Sequence, residues 1–292
     1  SDDTCLYCSE HVPKWNTISV SGYHMREAGA TSVQEVAFTL ANAKTYLERM
    51  AQRGVDLDKV APRLSFFFSA GKEFLEEIAK FRAARQLWAS ISRDELGSQD
   101  PKSWLLRFHV QTAGSSLTAQ QIENNIVRTT LEALAAVLGG AQSIHTNAHD
   151  EALSLPTETS AMTALRIQQI LAYETDVSLT ADPLAGSYCL EFLTHQIVEK
   201  AKDYFKKIES EGGVLTALQN GFFHREIQES AFSYQKSVEN NETVIVGLNR
   251  FQKVETAHPV ASRVSFEQEA KQIADFNQIL HMRNNQMVKE SL

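Results

Sequence analysis

Four short runs rich in β-branched, aromatic and other apolar residues, at 16–22, 63–70, 104–112 and 142–147, each pass through small or polar residues into a long stretch of helical periodicity. They recur roughly once per 40 residues, the spacing of a strand–helix unit. The intervening helices carry apolar residues at the 3.6-residue period: Val33, Val36, Ala37, Leu40 and Leu47; Phe74, Leu75, Ile78, Phe81 and Leu87; Ile126, Val127, Leu131, Leu134 and Val137. Such alternation implies right-handed crossovers and a parallel sheet with helices outside, an α/β fold. A closed (β/α)8 barrel needs eight strands over about 250 residues. Only about half of the 292 residues carry the alternation here.

Beyond Pro156 the pattern turns helical, with amphipathic stretches around 161–173, 193–211 and 266–280. A short run at 243–248 is a strand candidate. The cluster Asp182-Pro183-Leu184-Ala185-Gly186-Ser187 has turn composition, Gly212-Gly213 stops a helix, and the polar residues 283–292 are expected to form a tail or linker end.

Charge narrows the function classes. With 28 Lys+Arg against 36 Asp+Glu the chain carries a formal charge of −8 and no long basic run, which argues against a nucleic-acid partner. No uninterrupted apolar stretch approaches the roughly 20 residues needed to span a bilayer, and no charged-then-apolar leader opens the chain, so no membrane partner is expected. The expected location is the cytoplasm, or the mitochondrial matrix in a eukaryote. Three cysteines do not make a disulfide framework. Cys5 and Cys8 share the C-x-x-C spacing of redox and zinc sites, but they lie in a helical stretch with no second ligand pair, and two ordinary helix cysteines are the plainer reading.

Functional residues of parallel α/β proteins gather at the C-terminal strand ends. The first strand runs into Tyr23, His24 and Glu27, the second starts at Arg63 with Ser65 inside it, and the third alternates Arg107, His109 and Gln111. The fourth runs into His145, Asn147, His149, Asp150 and Glu151. With a period of two, Arg107, His109 and Gln111 share one face, where polar side chains need partners or a ligand. A hydrogen-bonded core histidine and carboxylate-paired arginines are the bland alternatives. The His145/His149 spacing suits a metal-binding helix rather than a strand end, so no metal site is expected. Dinucleotide, P-loop, nucleophile-elbow and H-E-x-x-H patterns are absent.

Longer strings carry a resemblance. The runs PKWNTISVSGYHMREAG (13–29), APRLSFF (61–67), QTAG (111–114), NNIVRT (124–129), GGAQSIHTN (139–147), DEAL (150–153), DPLAGSY (182–188) and VIVGLN (244–249) together resemble the large subunit of methylmalonyl-CoA mutase and its acyl-CoA mutase relatives. The resemblance covers nearly the whole chain in order. It implies a partial (β/α)8 TIM barrel of about four parallel strands over 1–156, the C-terminal half of the catalytic barrel, with a mainly helical extension over 157–292. It further implies an adenosylcobalamin-dependent radical rearrangement of an acyl-CoA thioester, an intramolecular transferase reaction, with the corrin held mainly by a separate domain or small subunit. Residue roles carry over by matching position. His24 would hydrogen-bond the thioester carbonyl beside Tyr23, and Arg63, Ser65, Arg107, Gln111 and Gln142 would meet the acyl-CoA. Glu27, Gly114, Asn147, Glu151 and Ala152 would lie around the corrin and adenosyl groups.

Departures from the family pattern shape the expectation. The chain begins where the family barrel is about half built, without the strands that bear the carboxylate-selecting arginine. A complementary N-terminal barrel half is therefore an expected partner, and the chain alone is expected to be inactive. Ser115 stands where methylmalonyl enzymes usually carry tryptophan, and with Thr118-Ala119-Gln120-Gln121 it is closer to branches with a separate cobalamin subunit, including isobutyryl-CoA and 2-hydroxyisobutyryl-CoA mutases. No D-x-H-x-x-G lower-ligand motif occurs, and Ala185 replaces a frequent glycine. The alternatives are a non-catalytic remnant that scaffolds a cobalamin subunit and a CoA-binding barrel without cobalamin.

Overall fold

A computed structural model describes residues 2–12, 14–253 and 265–291. Strands β1 (Ser19–Ser21), β2 (Ser65–Ala70), β3 (Phe108–Thr112) and β4 (Ser143–His145) form one parallel sheet in the order β1-β2-β3-β4. The chain begins with α1 (Asp2–His11), and the crossovers carry α2 (Tyr23–Glu27), α3 (Ser32–Gln52), α4 (Leu57–Val60), α5 (Phe74–Ser90) and α6 (Asn124–Leu138). Strands added in chain order, each behind a helical crossover, are the arrangement of a partial (β/α)8 barrel. All four strand readings hold, but each strand is shorter than its apolar run. Pairing starts only where a neighbour exists: Ser19 is opposite Ser65, and Ser143 is opposite His109.

Register sorts the strand residues onto two faces. Phe66, Phe68, Phe108 and Val110 are buried on the outer face, where Trp88 and Phe81 of α5 meet them. The Phe66 and Trp88 rings lie 4.9 Å apart, and Phe81 stacks on Phe108 at 5.2 Å. The opposite face carries Ser19, Ser21, Ser65, Phe67, His109, Gln111, Ser143 and His145, a polar set interrupted by one aromatic ring.

The helices close over the outer face through buried apolar and small residues that allow close approach. Thr31 and Gln34 form a capping box at α3. In α6 the buried residues are Ala133, Ala135 and Ala136 with Asn125, Thr129 and Glu132, while Val127 and Leu131 are exposed. The apolar stripe read from the sequence is thus only partly the buried one: alanines bring α6 onto its neighbours, Ile126 and Leu134 pack half-buried against Ala133, Ile167 and Leu171, and Val127 and Leu131 point away. Leu75 of α5 is likewise exposed.

Helices α7 (Glu158–Tyr173), α8 (Tyr188–Ser210), α9 (Val214–Gln219), α10 (Phe222–Glu239), α11 (Phe266–Met282) and α12 (Asn285–Ser291) complete the chain. Leu190, Ile197, Val198 and Ala201 of α8 and Phe222 and Phe223 of α10 join the same apolar core as β2 and β3. The turn cluster before α8 is pinned by Arg82, which bonds Asp182 and donates to Glu191 at 2.6 Å. Two expectations fail. Residues 243–248 form a loop, with Gly247 at φ +86° and the Asn249 side chain bonding Ile245 N, Thr243 O and Val238 O in place of a strand partner. The expected tail contains α12, started by Asn284 Oδ1, which accepts from Gln286 N and Met287 N. Among the described residues no helix is long and apolar enough to cross a membrane.

The two faces predict different costs of truncation. Phe68→Ala should lower the unfolding free energy by about 3–5 kcal/mol, and Phe67→Ala by less than half as much, as measured by urea unfolding.

Candidate active site

The site grows from the turn after β1. Gly22 N donates to Phe67 O at 2.8 Å, and a Cβ on Gly22 would collide with Thr39 and come within 2.8 Å of Glu35 Cγ. Only glycine fits there, and it lets the chain enter α2 directly from the strand. Tyr23 then stacks on Phe67, ring centroids 4.7 Å apart, and His24 meets the same ring edge-on. His24 Nδ1 and the Ser21 hydroxyl share a 3.0 Å hydrogen bond. When Ser21 donates, the ring proton sits on Nε2, and the exposed edge of His24 is a donor.

Around this turn the strand ends converge. Glu27 accepts from Ser115 N at 2.8 Å and Ser115 Oγ at 3.1 Å. Burial pushes the Glu27 carboxyl up, and the Ser115 bonds partly offset that. Burial also pushes the Tyr23 phenol up, reinforced by the Glu27 charge, so Tyr23 stays protonated beside the Asn147 amide and the Gly114 backbone. Asn147 is buried: its Oδ1 accepts from Gln111 Nε2 at 2.9 Å, and its Nδ2 donates to Thr112 O at 2.9 Å. A Cβ on Gly114 would lie 3.0 Å from Glu27 Oε2 and 3.5 Å from Asn147 Nδ2, so this position holds the cluster together by having no side chain. Glu151 and Ala152 are exposed on the next turn, with Glu151 close enough to Tyr23 to act on its phenol.

Midway along the same face His109 Nδ1 and Ser143 Oγ are 2.8 Å apart, and burial, then His145, lowers the affinity of His109 for a proton. Arg63, Ser65 and Arg107 belong to the opposite end of the strands. They line a cleft of about 1210 Å³ together with Lys14, Asn16, Lys59 and Lys102. Asp56, Asp58 and Asp100 in this cleft are committed to backbone N–H groups. Among the described residues, Lys14, Lys59, Arg63, Lys102 and Arg107 form no ion pair or side-chain hydrogen bond, an arrangement suited to a polyanion.

The sequence-predicted residues therefore fall into two groups. Tyr23, His24, Glu27, Gln111, Gly114, Asn147, Glu151 and Ala152 lie at the C-terminal strand ends, and Arg63, Ser65 and Arg107 at the other end of the same face. Ser65 and Ser69 mark its length on β2, about 13 Å at the usual strand rise. Gln142 is spoken for: its Oε1 accepts from Phe108 N and its Nε2 donates to Gly140 O. Sequence reasoning missed Ser21, Phe67 and the cleft lysines. Phe67 sits in an unbroken Phe66-Phe67-Phe68 run that signals burial and gives no face.

Adenosylcobalamin, the cofactor implied by the resemblance, can be tested against these side chains. The ledge of Glu27, Ser115, Asn147 and Glu151 is a set of carboxylate, hydroxyl and amide groups, which matches a macrocycle rimmed with amides. Serine at 115 adds little bulk. The residues fit the group on this side. Among the described residues no three His, Cys, Asp or Glu side chains are arranged to hold a metal ion.

The four parallel strands thus present a polar inner face with a cationic cleft at one end and a His/Tyr/Glu ledge at the other. The methylmalonyl-CoA mutase family profile matches residues 1–292. Methylmalonyl-CoA mutase of Escherichia coli (strain K12) is 49% identical over 249 residues, 85% of this chain and 35% of that protein. The 2-hydroxyisobutanoyl-CoA mutase large subunit of Aquincola tertiaricarbonis is 43% identical, over 85% of this chain and 44% of that protein. Mitochondrial methylmalonyl-CoA mutase of Mus musculus is 42% identical over 99% of this chain and 39% of its own length. The chain belongs to the methylmalonyl-CoA mutase family. It spans between a third and a half of the length of these curated relatives.

One buried group beside the site gives a pH test. Glu132 of α6 is 1% exposed and forms no ion pair among the described residues; burial pushes its proton affinity well up, against the weaker pull of Ser116 and the Ala113 backbone. The folded chain keeps a proton that the unfolded chain loses above about pH 4.5, so Glu132 costs stability increasingly as pH rises from there. Glu132→Gln should be more stable than the parent at pH 8 by at least about 1 kcal/mol, with the gap closing toward pH 4, as read by urea unfolding across that range.

Proposed function

We propose that this chain is the part of an adenosylcobalamin-dependent acyl-CoA mutase that holds the acyl-CoA along the inner sheet face and presents its thioester to the cofactor. The observation that carries the reading is the placement of five cations, unpaired among the described residues, at one end of this face and of the His24–Tyr23–Glu27–Asn147 cluster at the other. A CoA ester is a polyanion joined to a thioester by an extended amide-bearing arm, and the two ends of the face match its two ends in that order.

In this reading Arg63 and Arg107 bind CoA phosphates and Ser65 meets the arm. His24 donates from Nε2 to the thioester carbonyl, with Ser21 holding the tautomer, and stabilises charge that grows on that oxygen during rearrangement. Gln111, fixed by Asn147, lines the acyl cavity. Tyr23, a neutral phenol, and Glu27, Gly114, Asn147, Glu151 and Ala152 form the surface toward the corrin and adenosyl groups. Gln142 acts as support for the β3 backbone. When bound, the cofactor supplies hydrogen-atom abstraction and return, while the protein orients substrate and excludes water. The partners proposed are a cobalamin-binding small subunit or domain and a complementary N-terminal barrel half, since β1 and β4 are both edge strands of this sheet. We place the enzyme in the cytoplasm, or in the mitochondrial matrix of a eukaryote, and treat 1–156 and 157–292 as barrel half and extension of one catalytic domain.

Ser115 and the neighbouring loop favour, as a second reading, an isobutyryl- or 2-hydroxyisobutyryl-type substrate over methylmalonyl-CoA. The test is to assemble the chain with the barrel half and cobalamin subunit and to assay turnover of methylmalonyl-, isobutyryl- and 2-hydroxyisobutyryl-CoA. Isomerisation of one of them is expected, with His24→Ala lowering kcat by about 100- to 1000-fold. Arg63→Ala should weaken acyl-CoA binding by about 10-fold or more. Acyl-CoA binding that never alters the corrin spectrum would point to a CoA-binding barrel without cobalamin, and turnover indifferent to His24→Ala would refute the assigned role.

A further inference from the structure

Beneath the turn that carries Tyr23, His24 and Glu27 lies a cluster of charges that binding and chemistry do not use. Lys80 of α5 is completely buried. Its Nζ donates to Glu35 Oε2 of α3 at 2.7 Å and to Ser69 O of β2 at 2.7 Å, and it pairs with Glu77 one turn earlier on its own helix. The other Glu35 oxygen accepts from Ser69 N at 2.7 Å. Glu77 Oε1 is 3.3 Å from Arg26 Nη2, and Arg26 Nη1 donates to Ala30 O at 2.6 Å. Three elements of the scaffold, α3, β2 and α5, are thus tied into one node, and Arg26 is the arm by which α2 is attached to it.

The attachment falls at both ends of the α2 turn. At the start, Gly22 packs against Glu35 so closely that no Cβ fits. At the end, Arg26 spans Glu77 and Ala30 O, with Glu73 a further 3.6 Å contact. Gly71, after β2, completes the fit: a Cβ there would lie 3.2 Å from Glu77 Oε1 and 3.4 Å from Arg26 Nη2. Nothing in α2 is itself fully buried, so apolar packing alone does little to fix its orientation. Buried ion clusters are a poor way to gain stability compared with apolar packing of the same volume, but their directional bonds can hold a single geometry.

We propose that Arg26, acting through the buried Glu77–Lys80–Glu35 cluster, is a positioning residue that sets the orientation of the α2 turn and thereby of His24 and Glu27. The proposal rests on the reading of His24 and Glu27 as ligand-facing groups, and it adds the device that keeps them so. Arg26 itself points into the cluster, toward Glu77 and Glu73.

The test compares Arg26→Met and Arg26→Lys with the parent in the assembled enzyme. Arg26→Met cuts α2 from the node and leaves the Lys80–Glu35–Glu77 contacts intact. Amide hydrogen exchange over residues 24–30 should rise by about 10-fold or more while β2 and α5 stay protected. Turnover should fall about 10- to 100-fold with KM for the acyl-CoA nearly unchanged. Arg26→Lys, which keeps the charge but cannot span both acceptors, should recover part of both losses. If Arg26→Met does not fold, Arg26→Lys carries the test, with the same changes at smaller size. Unchanged exchange at 24–30 together with parental kcat overturns the proposal and leaves the mutase reading standing. A parent enzyme without turnover removes the mutase reading instead, and the exchange comparison then still decides whether Arg26 holds the turn.

Discussion

Everything in this molecule depends on the alternation of side chains along four parallel strands in fixed register. Because Phe67 is opposite His109 and Gln111 opposite His145, the inward residues of each strand stand in rows, as do the outward ones. Outward rows are phenylalanine, valine and isoleucine and drive helix packing. Inward rows are serine, histidine and glutamine around the single ring of Phe67, and these polar residues carry hydrogen-bonding groups that an apolar interior would penalise. A shift of one residue in any strand would exchange the faces, so the register that builds the core also builds the site. Stability and function are written on alternate residues of the same segments.

This separation explains why the site can be polar without unravelling the sheet. Asn147 shows how: it is buried, yet its backbone N–H and its side-chain amide all bond to Thr112 and Gln111, so it satisfies itself while fixing Gln111. Gln142 does similar work at the other end, bonding the β3 backbone. At the mouth of the cleft the situation reverses. Aspartates there serve as caps and turn residues, and among the described residues Lys14, Lys59, Arg63, Lys102 and Arg107 have no side-chain partner, so cations gather in the cleft although the chain as a whole is acidic.

Much of this is legible in the sequence, and the rest is illegible for definite reasons. The four strands are visible because their outward residues are β-branched or aromatic and recur just before each helical stretch, and His24, Glu27, Gln111 and Asn147 stand out as the polar residues at or just beyond the ends of those runs. Strand lengths are not visible, since Asn16 to Ile18 look strand-like but meet only Ser65, through the Ile18 carbonyl and the Asn16 side chain, before regular pairing begins at Ser19. The exposure of Val127 and Leu131 is hidden because periodicity identifies an apolar stripe without saying whether alanine or leucine faces the neighbouring element. Glu35, Glu77, Lys80 and Glu132 escape entirely. Charged residues on amphipathic helices are assigned to solvent by pattern, and only their three-dimensional placement reveals that the first three share one buried cluster completed by Arg26, while Glu132 stands outside it. The family resemblance supplies the proposed ligand-facing groups by position, and the geometry adds what supports them.

The most direct test of the central claim is a crystal structure of the assembled enzyme with a non-isomerisable acyl-CoA analogue. The thioester oxygen is predicted about 3 Å from His24 Nε2, a hydrogen-bond distance, with the arm along Ser65 and His109 and the phosphates at Arg63 and Arg107. An analogue bound elsewhere, for instance in the surface pocket between α3 and α8 lined by Lys44 and Phe205, or one entering with its phosphates at His24, would contradict it.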